Sequence, residues 1–256
     1  MNAVDFISLY GLTFARLTGF FVSVPLFSSK QLPVMHRVAF SAFLAYYAMF
    51  TLTEPVQMSE GFVVQVLYEV LIGLLLGILI NILFFAPQIA GGIVDVQLGL
   101  AMAASYDPMF GGQSPLLGRF YYIFTLFILL SSNLHLLLID GIYYSFQIFP
   151  PGQPMINFTE ASLTMMIKVI SMTMMVALQL ALPMMASLFL VDLALGFLAK
   201  SAPQFNIFAI GFSFKLVAGF SVMVLLMGLT LNGISHFIPL LQEVMHDFML
   251  ILGDTT

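Results

Sequence analysis

The chain has no cysteine and no tryptophan. Without thiols there is no disulfide framework, no thiolate nucleophile and no sulfur-rich metal site, and the redox compartment goes unread. Without tryptophan, anchoring at a membrane interface falls to tyrosine, lysine and arginine. Charge is also scarce, at 7% of 256 residues, where a soluble domain carries about a quarter. So few charges cannot cover a water-facing surface, so most of the exterior must face lipid or other protein, and the chain reads as an integral membrane protein. Lys and Arg number 7 against 12 Asp and Glu, a net charge of −5. That excludes a nucleic-acid binder, which needs cations to neutralise phosphates. No GxxxxGK phosphate loop is present, so the chain cannot by itself draw power from a nucleotide. No internal repeat stands out, and the 27 Phe and 18 Met are scattered.

What is present is a succession of apolar runs. Six reach or approach spanning length, at residues 6–27, 34–53, 62–86, 120–139, 161–199 and 207–237. The first has no basic region before it and is too long for a signal-peptide core, so it reads as a retained helix. The fifth is far longer than one span and holds Pro183 near its middle, a residue that removes a backbone hydrogen bond and kinks a helix. The sixth is also long. Over-long, proline-interrupted helices suit a tilted or protruding assembly. The connections after runs one, three and five carry Lys30 and Arg37, then Arg119, then Lys200; those after runs two and four carry Glu54, Glu60, Asp140 and Glu160. By the positive-inside rule both termini lie outside and the basic connections in the cytoplasm.

Four of the charges inside apolar runs fall at matching depths. Arg16 lies about 15 Å and Glu69 about 11 Å from the same outer side at 1.5 Å per residue. An unpaired charge at such depth is costly, so the two form a candidate buried ion pair that fixes helix register. Asp192 and Lys215 lie 11 residues before and 12 after Pro203. They fall level in an antiparallel hairpin turning at KSAPQFN, residues 200–206, and form a second candidate pair. That turn, with Lys200, Pro203 and Gln204, is either a solvated cap or a partner contact. Gly73 and Gly77 form a GxxxG, which lets a second helix approach closely without naming it.

Catalysis finds little support. Ser114 in GGQSP with His135 downstream superficially resembles an intramembrane serine protease, but Pro115 follows directly and no oriented base is evident. His36, His135, His236 and His246 are dispersed. The pairs Met165–Met166, Met174–Met175 and Met184–Met185 fit flexible packing better than a soft-metal site. No enzyme, metal or cofactor is expected. Two classes remain: a small-solute transporter with Asp95, Asp107 and Arg119 along its path, and a subunit of a larger translocation assembly. The lack of repeat symmetry favours the subunit. The stretch AASYDPMFGGQSPLLGR, residues 103–119, is a polar, Gly- and Pro-rich interruption between apolar runs. By composition alone it reads as an ordinary cytoplasmic connection ahead of a functional loop, because most loops lie at surfaces.

Several patterns together carry a resemblance. They are Arg16, Pro25, Phe27, Pro33 and Arg37; Glu69 with Gly73 and Gly77; AGGIVDVQLGLAMAASYDP with Ala90, Gly91, Asp95, Gln97, Gly99, Asp107 and Pro108; and DLALGFLAKSAPQFNIF, residues 192–208. Over nearly its whole length the chain resembles the FliR/SctT family of type III secretion export gates. One departure is Ser213 in GFSFK, where many members carry proline. The resemblance implies an all-α membrane protein of about six long, kinked helices, a FliP-like unit (1–150) followed by a FliQ-like hairpin (151–256). The division falls at PPGQP and the hairpin turn at 200–206. It implies FliP-like, FliQ-like and FlhB-like partners, usually five FliP and four FliQ per gate, and unfolded proteins as cargo. The place implied is the inner membrane at the flagellar basal body, with the gate rising above the bilayer; an injectisome is the alternative. It also implies that residues 103–118 are a plug, carried by Tyr106, Asp107, Pro108, Met109, Phe110, Gly111, Gly112, Gln113, Ser114 and Pro115. Apolar bulk from Tyr106, Met109 and Phe110 would help dewet a constriction.

Overall fold

The fold comes from a computed structural model, which describes residues 3–28, 32–52, 61–100, 115–133, 135–153, 160–202 and 207–253. Among these every regular element is helical: α1 (Ala3–Ser23), α2 (Pro25–Ser28), α3 (Val34–Ala48), α4 (Phe62–Leu98), α5 (Leu116–Ser131), α6 (His135–Ile148), α7 (Glu160–Ser201) and α8 (Ile207–Gly253). The chain is an all-α membrane protein. Four stretches are long and apolar enough to cross a bilayer, Asp5–Ser23, Phe62–Leu98, Glu160–Ser201 and Gly211–Gly253, or five if α5 and α6 together make one.

The apolar runs read from sequence and the helices differ in four of the six runs. The second run yields α3, whose 15 residues span about 22 Å, short of a hydrocarbon core of about 30 Å. The fourth run is broken at Asn133, whose φ of 55° is left-handed backbone that asparagine tolerates. The third and sixth runs continue well past their apolar parts. At 37, 42 and 47 residues, α4, α7 and α8 are about 55 to 70 Å long, about twice a bilayer core. Pro87, Pro183 and Pro239 lie within these helices without ending them.

Two compact units are assembled from separated segments: Met1–Leu83, Ser132–Ser171 and Pro239–Thr256 form the first, Phe84–Ser131 and Met172–Ile238 the second. In the first, α1 lies on the early turns of α4 with backbones in contact. A Cβ on Gly19 would sit 2.6 Å from the Val70 carbonyl oxygen, one on Gly77 2.8 Å from that of Phe20, and one on Gly73 would fall on that of Arg16. The GxxxG therefore receives α1. Phe20, Phe21, Leu76, Ile80 and Leu83 fill the adjoining core. Phe21 meets Phe27 and Phe40 at 4.6 and 5.2 Å. Asn81 Nδ2 donates to the Ser23 carbonyl at 2.9 Å where α1 ends.

In the second unit, α4 and α5 touch at Gly91, against the backbone of Leu117 and Gly118. The Asp95 carboxylate, 1% exposed, accepts the Leu117 amide at 2.9 Å. That amide is one of the orphan donors of α5's first turn, where a carboxylate also complements the helix dipole. Gln97 Nε2 donates to the Met185 carbonyl at 3.1 Å, tying α4 to α7. Just beyond, Gly99 takes φ 79°, a conformation open to glycine.

Candidate functional site

The largest buried polar cluster among the described residues is built around Arg16, in the first unit. The side chain is fully buried. Its Nε donates to Glu69 Oε2 at 2.5 Å. Its Nη1 donates to the Ser145 carbonyl at 2.9 Å and to Ser145 Oγ at 3.2 Å, and Nη2 to the Phe149 carbonyl at 2.7 Å. The guanidinium also lies 4.5 Å from the centroid of the Phe146 ring. Ser145 and Phe149 flank the end of α6, so Arg16 caps that helix and places positive charge where its dipole is negative.

Glu69 does a second job. Its Oε1 accepts the Gly152 amide at 3.0 Å, and Gln65 Nε2 donates to the Gly152 carbonyl at 3.1 Å. Both side chains project from α4 four residues apart, on one helical face. They grip the turn 150–153, closed by a 3.2 Å bond from Gln153 N to the Pro150 carbonyl, with Gly152 at φ 86°. Proline followed by a left-handed glycine is the signature of a type II turn. Arg16, Glu69, Gln65 and PPGQ therefore form one network, in which Gln65 Oε1 alone is buried without a partner among the described residues, and its geometry is that of a clamp. None of these groups is arranged as a nucleophile with a base.

The second pair lies in the second unit. Lys215 Nζ sits 2.6 Å from Asp192 Oδ1, with the lysine side chain 18% and the aspartate 40% exposed. Lys200 lies exposed in the last turn of α7, where a cation is favourable. Pro203 and Gln204 lie outside the described residues, as do Tyr106, Asp107, Pro108, Met109, Phe110, Gly111, Gly112, Gln113 and Ser114. Of the stretch read as a plug, Pro115 and the start of α5 are described, pinned to α4 as above.

Among the described residues no three of His, Cys, Asp and Glu are grouped to hold a metal. His246 stacks on Tyr144 at 4.8 Å, with Nε2 3.1 Å from the phenol oxygen. His236 Nδ1 lies 2.8 Å from the Asn232 carbonyl on its own helix. His135 begins α6. The pairing of charges was open to sequence reasoning; the role of Ser145, Phe149 and Gly152 was not, because Phe149 and Gly152 act through their backbones and Ser145 through its carbonyl as well as its hydroxyl. The one available signal was PPG, which marks a tight turn and says nothing about what holds it.

Relatives place the chain. The family described as bacterial export proteins, family 1, matches residues 7–240. The flagellar biosynthetic protein FliR of Bacillus subtilis is 37% identical over 257 residues, covering 99% of both chains. FliR of Escherichia coli is 28% identical over 96% of this chain and 94% of its own. The surface presentation of antigens protein SpaR of Salmonella typhimurium is 29% identical over 91% and 84%. A relation running end to end through the Arg16 clamp, both ion pairs and every long helix leaves one assignment: the chain belongs to the bacterial export proteins of family 1, the FliR/SctT family.

Proposed function

We propose that this chain is a subunit of the flagellar type III export gate, forming with FliP-like and FliQ-like chains a protein-conducting channel in the inner membrane. The observation that carries this is the end-to-end identity of 37% with a flagellar biosynthetic protein. The 29% identity to SpaR is what favours an injectisome gate as the second reading. Surface chemistry supports a subunit of an assembly. In the most apolar 18 residues of α8 6% are buried, and in those of α7 22%, so both helices await a covering of lipid or protein. Helices about twice a bilayer's thickness support a gate that rises toward the periplasmic side, with an FlhB-like chain docked on it. The halves 1–150 and 151–256, read as FliP-like and FliQ-like, belong to the same reading.

Residues 103–118 act in this reading as the plug. A channel for unfolded chains must hold ions back at rest and yield to a polypeptide in transit. Non-helical backbone is tolerated at membrane depth when it lies inside protein or a cavity. Support comes from the mounting of its described end, where Asp95 and Gly91 fix the first turn of α5 to α4. The test is co-expression with the FliP-like and FliQ-like chains, affinity purification through this chain alone, and native mass measurement. A stable complex containing all three is expected. Purification of this chain by itself, with solute transport in liposomes, would replace the gate with a transporter.

A further inference from the structure

Two acidic side chains are buried, Glu69 at 2% and Asp95 at 1% exposure, and the fold treats them differently. Glu69 has Arg16. Asp95 lies in the apolar stretch Phe62–Leu98, and among the described residues no cation pairs with it. Its Oδ2 accepts the Leu117 amide at 2.9 Å, and the Gly118 amide adds to the pull on the same group. Its Oδ1 is buried with no hydrogen-bond partner among the described residues.

The elements packed around this part of α4 bring it no counter-charge. On α5 the titratable groups are Arg119, which is exposed, and Tyr121 and Tyr122. α7 arrives through Met185. α8 arrives through Gly219, where a Cβ would sit 2.3 Å from Leu98. The titratable groups next along these two helices are Asp192 and Lys215, bound to each other. An open cleft of about 440 Å³, lined in part by Gln88, Gly92, Val96 and Pro115, runs beside the junction. Gly92 and Val96 are within one turn of Asp95 on α4, so the cleft has room for water close to the carboxylate.

Two opposed pulls therefore act on Asp95. The amides and dipole at the start of α5 favour its charge. Burial without a cation, and one oxygen without a donor, disfavour it, because a buried charge costs far more than a buried neutral group. Asparagine would offer the Leu117 amide an acceptor without that cost. What a carboxylate has and an asparagine lacks is a second state reached by taking a proton, and ionisable groups inside membrane helices mark proton paths.

We infer that Asp95 is a proton-binding site: a proton entering from the cleft cancels the charge that holds the first turn of α5 to α4, and so loosens the mounting at Pro115. A neutral acceptor holds an amide about half as strongly as a charged one. The site stands on its own geometry; its bearing on export rests on the plug reading above, whose mounting it would regulate.

The test uses the full chain in lipid nanodiscs, titrated between about pH 4 and about pH 9. Infrared difference spectra should show a carboxylic-acid carbonyl band that titrates and is missing from Asp95→Asn. No such band means that Asp95 does not exchange a proton in that range, and overturns the inference. Amide exchange at Leu117, corrected for its intrinsic pH dependence, should quicken about tenfold as the band grows in. In Asp95→Asn it should stay level across the range. The exchange arm on the unaltered chain needs no variant to fold, and protection at Leu117 that ignores pH sinks the release on its own, as a merely structural aspartate would. Conductance of the assembled gate separates the two readings. It should rise on acidification in the wild type and not in Asp95→Asn. If deleting residues 103–118 leaves conductance unaltered while the band and the Leu117 exchange titrate together, the proton site stands and the plug reading falls.

Discussion

A guanidinium has five N–H donors and no means of shedding its charge. In Arg16 each of the three nitrogens has an acceptor, so the clamp depends on fork geometry as well as charge. Arg16→Ala leaves Glu69 buried and unpaired and should cost about 3–5 kcal/mol, read as a lower melting temperature of the detergent-purified chain. Arg16→Lys keeps the charge, but one ammonium cannot reach Glu69 and both carbonyls together, so an intermediate melting temperature is expected; a wild-type value would mean that the two carbonyl bonds contribute nothing. The Asp192–Lys215 pair is more open, with its aspartate 40% exposed. Asp192→Ala should therefore change detergent stability by less than about 1 kcal/mol, as measured by the same melt. Both pairings were legible because charges in apolar runs must find partners at matching depth. The grip on the 150–153 turn was not, since a carbonyl that accepts a bond looks in sequence like any other.

Gly73 shows what a common motif gains from its surroundings. GxxxG said that some helix packs closely; α1 is that helix, with its backbone where a Cβ would be. Gly73→Leu must push α1 off α4 and should remove the chain from membranes in an accumulation assay, whereas Gly196→Leu, into open space, should accumulate as wild type. Asp95 governs another junction. Asp95→Ala frees the Leu117 amide, and a hydrogen bond to a charged group is worth about 1.5–3 kcal/mol. Amide exchange at Leu117 should rise about tenfold or more, and less in Asp95→Asn, which retains an acceptor; equal exchange in all three would show that Asp95 does not hold α5. The long helices were legible as apolar runs because hydropathy is an average. The same averaging hid the break between α5 and α6, where Ser131, Ser132 and Asn133 are too few to lower it.

Across the molecule, spanning length is a poor guide to how the chain meets a bilayer. Helices of 37 to 47 residues exceed any single crossing, and the surplus belongs to an assembly that a lone sequence does not display. If residues 103–118 seal that assembly, their deletion should leave the complex intact by mass and make cells leaky to small ions or solutes. Unaltered conductance in planar bilayers would remove the plug from the account. The Arg16 clamp also sets a schedule for biogenesis. Its first partner, Glu69, lies 53 residues downstream, and Ser145 lies 129 downstream. At about 5–20 residues per second of synthesis, α1 waits roughly 3–10 s for its counter-ion and roughly 6–26 s for the helix end it caps. A newborn α1 carrying a bare arginine has no stable place in lipid during that interval, so the ribosome-side insertion machinery must shelter it until the chain is more than half made.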